Sequence, residues 1–211
     1  NGAVFADWPV VGEGLAAHLT CLSGVRRYHA RRTLNQLLED GLITDGSTRF
    51  AFIGFQHPHI WDLVARAAAH PDIAIVAMCE EDAATREKLA GDKRVNLTHT
   101  DYRKMLAEVA CDAVVVGDWF AKRGRIVIDC LSAGRHVLAD KPMCTTLAEY
   151  DEIVRVAAAK KLTVGLMLDM RDSGVFLKVR ELVRAGTIGE IRAASLGGQH
   201  PLLAGKRAGW Y

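Results

Sequence analysis

The chain has 211 residues, half of them hydrophobic, and a formal net charge of +2, which allows one large domain, or one domain and part of another, around a sizeable core. The near-neutral balance argues against bulk binding of nucleic acid, no apolar run approaches the ~20 residues of a membrane span, and no basic stretch followed by an apolar one marks a secretory signal. Cys21, Cys79, Cys111, Cys130 and Cys144 are widely spaced without a C-x-x-C pair, so they are expected to be reduced core residues of a cytoplasmic protein, not disulfides or a zinc site.

Residues 1–48 stand apart from the rest of the chain. Residues 1–13 are irregular, and 14–22 and 25–40 are expected to be two helices with Gly24 between them. Arg26, Arg27, Arg31 and Arg32 cluster with His29, while Leu34, Leu37 and Leu38 give an apolar face. Helix, turn, helix and then Gly41-Leu42-Ile43 has the loose outline of a winged helix-turn-helix. The other reading is a helical extension whose arginines are solvated, and the looseness of the spacing favours it.

Residues 49–80 carry the main signal. Residues 49–54 are an apolar run stopped by Gly54, and Phe55-Gln56-His57-Pro58-His59 is too polar and too bent by proline to continue it. Residues 60–70 then have helical spacing, with Ile60, Leu63, Val64 and Ala67 on one face, until Pro71 ends them. Residues 73–79 form a second buried-type strand with Glu80 at its carboxyl end. In such a βαβ unit the helix N-terminus offers N–H groups to a pyrophosphate, and a carboxylate at the tip of the second strand can accept ribose hydroxyls. The pattern G-x-G-x-x-G needs glycines at 54, 56 and 59. Only Gly54 is present; Gln56 and His59 fill the other places. His57 or His59 can instead donate an N–H to a phosphate oxygen. The competing reading is an ordinary βαβ unit with Glu80 a solvated loop acid.

The alternation continues. A short helix over 82–89, a weak strand near 95–97, a helix behind Asp101 over 101–109 and a buried strand over 112–117 are expected. A helix over 121–133 stops at Gly134, a strand follows at 136–139, a capping box at Thr146 and Glu149 opens a helix to Lys161, and a last strand covers 162–167. Repeated alternation predicts an α/β fold, a doubly wound parallel sheet with helices on both faces. Ligands in such sheets lie beyond the carboxyl ends of the strands, which gathers Gly54, Glu80, Asp118 and Asp140-Lys141-Pro142 on one rim. Beyond Met170 the character changes. Residues 175–185 are an amphipathic helix ended by Gly186, and 191–196 alternate as a half-exposed strand does. A second α/β domain is expected to begin at 171, with only its start within 171–211.

The run Ala133-Gly134-Arg135-His136-Val137-Leu138-Ala139-Asp140-Lys141-Pro142 resembles the A-G-K-H-V-x-x-E-K-P block of the Gfo/Idh/MocA oxidoreductases, the glucose–fructose oxidoreductase and inositol dehydrogenase family. Residues 112–116 before it, and 182–191 after it, match further blocks in the right order. The resemblance covers 49–211. It implies a Rossmann domain over 49–170, the beginning of a substrate and oligomerisation domain over 171–211, and NAD(P)-dependent hydride transfer on sugars, polyols or related compounds. It also implies a homo-oligomer. Lys141 matches the family lysine beside the nicotinamide and reacting carbon, where an ammonium can stabilise a developing alkoxide. The cofactor set so implied is Gly54, Gln56, His57, His59, Glu80, Asp118, Trp119, Asp140, Lys141 and Pro142.

The departures are specific. Asp140 replaces the family glutamate. The usual T-P-x-x-x-H, which lies along the cofactor, is here Asp118-Trp119-Phe120-Ala121-Lys122-Arg123. The family histidine of D-x-x-x-H has no counterpart before residue 211, and His200 is either a loop residue or a lining of the substrate side. Glu80, with Glu81 and Asp82 beside it, favours NAD over NADP. No metal site is expected, because His57 and His59 have no Cys or His cluster near them in sequence, and no G-x-S-x-G marks a hydrolase. The alternative function is a dinucleotide-binding protein without turnover, a redox sensor or an inactive fragment.

Overall fold

The computed structural model describes residues 47–168, 173–195 and 197; the expected extension up to residue 46, and His200, lie outside them. The chain divides into a unit ending at Asp169 and another beginning at Met170.

In the first unit, β1 (Thr48–Ile53), β2 (Ile73–Cys79), β3 (Ala113–Val116), β4 (His136–Ala139) and β5 (Val164–Leu166) form one sheet in the order β2-β1-β3-β4-β5. Every pairing is parallel. The helices between them are α1 (Ile60–Ala69), α2 (Ala83–Leu89), α3 (Tyr102–Glu108), α4 (Phe120–Ser132) and α5 (Leu147–Lys160).

Alternate strand residues feed opposite faces. Phe50, Phe52, Met78, Val115 and Leu138 pack with Ile60, Leu63, Val64 and Ala67 of α1. Ala51, Ile53, Val114, Val116 and Val137 pack with Tyr102 and Met105 of α3, Ile126, Val127 and Cys130 of α4, and Ile153 of α5. Each large side chain so buried contributes ~1.5–3 kcal/mol of transfer free energy. The sheet is therefore covered on both sides, which is why its central strands read as unbroken apolar runs.

Local signals set the helix ends. Asp101 accepts the Arg103 and Lys104 N–H groups at 2.8 and 3.1 Å, a cap worth ~1 kcal/mol. Thr146 and Glu149 form the expected capping box. After α4, Gly134 takes φ +79°, and the N–H groups of Gly134 and Arg135 close on the Leu131 and Cys130 carbonyls, the double closure that a left-handed residue permits.

Two expected strands are not there. Residues 95–97 make no strand. Instead the Thr98 and His99 N–H groups bond to the Met78 carbonyl, Cys79 and His99 form an isolated parallel bridge, and Val95 and Leu97 pack partly buried against the α1-side core. A loop with one bridge thus lies along β2 where a weak strand was expected. In the second unit, α6 (Gly174–Arg184) is helical as expected, with Gly186 at φ +68° after it. Residues 191–195 are exposed and not strand; a strand exists only by pairing, and no strand pairs with them among the described residues.

Candidate active site

The strand order reverses between β1 and β3, since α1 carries the chain outward from β1 to β2 while β3 lies on the other side. The crevice for a ligand opens at that point, beyond the strand ends. Gly54 follows β1 there with φ +80°, and a Cβ on it would stand 2.5 Å from Asp118 N, Cα and Cβ. Gly117 is closed in by Ile60. Glycine is thus needed at 54 for both its backbone angle and its space. The loop end of β1 and Asp118 after β3 come this close because position 54 has no side chain in the way.

Glu80 is buried, at the tip of β2, and turned inward. Its Oε2 accepts the Phe55 N–H at 2.7 Å and its Oε1 the Asp82 N–H at 2.8 Å. Burial raises its pKa, only partly offset by those two hydrogen bonds. Glu80 is therefore not a solvated loop acid; it ties the first residue of the loop to the turn after β2. Glu81, beside it, lies 3.9 Å from Lys122 Nζ. Arg86 Nη1 is engaged by the Glu80 and Glu81 carbonyls.

The loop histidines meet the Asp140-Lys141-Pro142 turn. His57 Nδ1 lies 2.6 Å from Asp140 Oδ2 and His59 Nδ1 lies 2.9 Å from Asp140 Oδ1. The Lys141 N–H also donates to Oδ1, at 2.7 Å. Asp140 has no exposed surface. Burial alone would raise its carboxyl, but the His57 hydrogen bond, the Arg123 charge and the His59 hydrogen bond prevail and hold it at about 2. Asp140 is accordingly ionised at neutral pH. The Lys141–Pro142 peptide is cis. The Lys141 ammonium makes no hydrogen bond or ion pair among the described residues.

Asp118, also buried, takes the Trp119 N–H on Oδ1 at 2.7 Å, and its carboxyl is raised chiefly by burial. Trp119 precedes α4 as its N-cap. The structure thus brings together Gly54 with Asp118, and His57 and His59 with Asp140 and Lys141, and it links Glu80 to the loop through Phe55. Pro142 joins through its carbonyl alone, at 3.2 Å from Arg123 Nη1.

Arg123 is the residue that sequence reading missed. It is fully buried; Nε donates to the Asp118 carbonyl, Nη1 to the Lys141 carbonyl at 2.6 Å, and Nη2 to Asp140 Oδ2 at 2.8 Å. The signal was present. Arg123 falls at helical spacing with Ile126, Val127 and Cys130 on the apolar stripe of α4, and a charge on such a stripe must be paired.

The distance in sequence between the two histidines and Asp140 is not a distance in space. His57, His59 and Asp140 place one ligand atom each within 4.8 Å of one another. Asp140 already has hydrogen-bond partners, His59 Nδ1 on Oδ1 and Arg123 Nη2 on Oδ2. Both histidine nitrogens stand at donor distance from Asp140, and the buried Arg123 cation shares the same carboxylate and would repel a second cation.

The rim fits a dinucleotide on three counts. The Gly54 turn brings backbone to the crevice, α1 has no side-chain cap, and the buried Gln56 Oε1 has no hydrogen-bond partner among the described residues. The absent side-chain cap leaves the positive end of α1 directed at the loop.

Comparison with known proteins agrees. Residues 48–168 match the family described as oxidoreductases with an NAD-binding Rossmann fold. The chain is 26% identical over 147 residues to the dTDP-3,4-didehydro-2,6-dideoxy-alpha-D-glucose 3-reductase of Streptomyces antibioticus, covering 70% of this chain and 44% of that protein. It is 31% identical over 94 residues to the D-xylose 1-dehydrogenase (NADP(+)) of Hypocrea jecorina, covering 44% and 24%. The fold is similar to that of the WlbA dehydrogenase from Bordetella pertussis, solved with NADH and UDP-GlcNAcA, with a TM-score of 0.62 at 19% identity over 68% of this chain and 43% of that one. The chain spans less than half the length of each. No described helix is long and apolar enough to cross a membrane. With its parallel sheet, its glycine-turned crevice and this match over most of the first unit, the chain belongs to the Gfo/Idh/MocA family of oxidoreductases, with an NAD-binding Rossmann fold.

Proposed function

We propose that the protein is an NAD-dependent oxidoreductase that moves a hydride to or from a CH–OH carbon of a sugar, polyol or related compound. The observation that carries this is the placement of Lys141. Its peptide N–H shares Asp140 Oδ1 with His59, so the lysine stands beside the loop that receives the dinucleotide, at the carboxyl end of β4. Its ammonium is committed to no partner among the described residues. The sugar-processing names of the reductase and dehydrogenase relatives support a sugar-like substrate.

Bound nicotinamide supplies the hydride acceptor or donor. The chain's own residues do the rest. Gly54, Gln56, His57 and His59 line the pyrophosphate and ribose side, with the first turn of α1 behind them. Asp118 and Trp119 close the crevice at β3. Lys141 polarises the substrate oxygen and stabilises negative charge as it develops there. Glu80 organises the loop, and the carboxylates of Glu80, Glu81 and Asp82 set a negative field against a 2′-phosphate, which favours NAD over NADP. The group that exchanges the hydroxyl proton is expected from the second domain, and the working form is a homo-oligomer.

The test is a panel of sugars and polyols offered with NAD to the protein and to Lys141→Ala, followed by nicotinamide absorbance. Turnover should fall ~10²–10³-fold in the variant while NADH affinity holds. NADH binding without turnover on any substrate would replace this reading with that of a dinucleotide-binding sensor.

A further inference from the structure

Two adjacent acids follow β2, and they are engaged differently. Glu80 is buried and accepts a backbone N–H on each oxygen, at 2.7 and 2.8 Å. Glu81 keeps 26% of its side chain exposed, and its contacts are long: Oε1 lies 3.5 Å from the Tyr102 backbone nitrogen and Oε2 3.9 Å from Lys122 Nζ. Ligand hydroxyls can displace contacts of that length at little loss. They cannot take the place of the Glu80 partners without stranding the Phe55 and Asp82 N–H groups.

Lys122 belongs to the first turn of α4, beyond β3, whereas Glu81 follows β2, and β1 lies between those two strands. The contact therefore reaches across the end of β1, at the crevice. The ammonium acts on the other acids there as well. Asp82 is lowered chiefly by its Thr85 hydrogen bonds, with the Lys122 charge adding to them. Asp118 is raised by burial, against the Trp119 N–H and Lys122. Arg86, another cation at this turn, has Nη1 on the Glu80 and Glu81 carbonyls; the Lys122 ammonium faces carboxylates alone.

We infer that Glu81 and Lys122 together set the choice of dinucleotide: Glu81 accepts the adenosine ribose hydroxyls, and Lys122, moving off Glu81, is the cation that meets a 2′-phosphate. The inference rests on the proposed reading of the crevice as a dinucleotide site. It goes beyond that reading in giving the chain both cofactors, NAD(H) the more tightly. The acids after β2 repel the 2′-phosphate, Lys122 offsets part of that repulsion, and the size of the preference is set by the balance between them.

Calorimetric titration of the native protein, Lys122→Met, Glu81→Gln and Lys88→Met with NADH and with NADPH tests this. Lys122→Met should weaken NADPH about 10-fold or more, the scale of one charged hydrogen bond, and leave NADH within about twofold. Glu81→Gln should do the reverse, weakening NADH and tightening NADPH. Lys88→Met removes a charge that Asp82 also feels but that is no part of this contact, and the NADH-to-NADPH ratio should hold. A ratio unmoved in Lys122→Met or in Glu81→Gln, or moved as far by Lys88→Met, would overturn the inference and leave the dinucleotide site standing. Failure of the native protein to bind either dinucleotide would overturn both.

Discussion

Gly54 and Asp118 are in direct backbone contact, with no room for a Cβ between the end of β1 and the end of β3. Gly91 has a similar angle, φ +86°, but nothing within 4 Å of its missing Cβ. The two glycines separate strain from crowding. Gly91→Ala should lose only the ~1–2 kcal/mol of a left-handed residue. Gly54→Ala should lose more than that in urea denaturation, because β1 and β3 must also move apart, and its NADH binding should weaken. Equal losses at the two sites would show that the close approach costs nothing to relieve.

Glu80 accepts a backbone N–H on each oxygen. Glu80→Gln must turn its NH₂ toward either Phe55 or Asp82, leaving one buried N–H without an acceptor, at a cost of ~1–3 kcal/mol. Denaturation measures that loss, and paired titrations should show the preference for NADH over NADPH narrowing as one negative charge is removed. Unaltered stability would mean that the loop is not held by this carboxylate.

Asp140 sets an acid limit. Its folded-state pKa is about 2 against an ordinary 3.8, so its stabilising share is complete above pH ~4 and drains away as the pH falls toward ~2, by about 2 kcal/mol in all. Glu80 and Asp118, both raised, act in the opposite sense, losing their share as the pH rises. Comparison with Asp140→Asn isolates the first effect. The stability gap between the two proteins should shrink between pH ~4 and ~2; a constant gap would deny the depressed carboxyl.

His57→Ala and His59→Ala should each weaken NADH binding by roughly 1.5–3 kcal/mol if their rings hydrogen-bond the charged pyrophosphate. Calorimetric affinities unchanged in both variants would show that neither ring holds the pyrophosphate.

Much of the sheet was legible because periodicity is local. The apolar runs that became β1 to β4, the Asp101 cap, the Thr146–Glu149 box and Gly134 each declare themselves within a few residues. What local patterns do not carry is pairing across the chain. Residues 95–97 had the composition of a strand, yet that edge of β2 takes a loop and one bridge. Residues 191–196 alternated like a strand, and their described part has no partner to make one. The site shows the same divide. Gly54, the histidines and Lys141 were singled out one by one. The meeting of the histidines and Lys141 on Asp140, 81 residues from His59, is not a local pattern, and neither is the burial of Arg123 beside it, although its place on the apolar stripe of α4 marks it.

The central claim is that the crevice beyond the carboxyl ends of β1 and β3 holds an NAD-type dinucleotide, and calorimetric titration of the protein with NADH and with NADPH tests it most directly. Saturable binding of one NADH per chain, tighter than NADPH and weakened by Gly54→Ala, is the predicted result. No saturable binding of either dinucleotide would contradict the site itself, and tighter binding of NADPH would contradict the role given to the acids after β2.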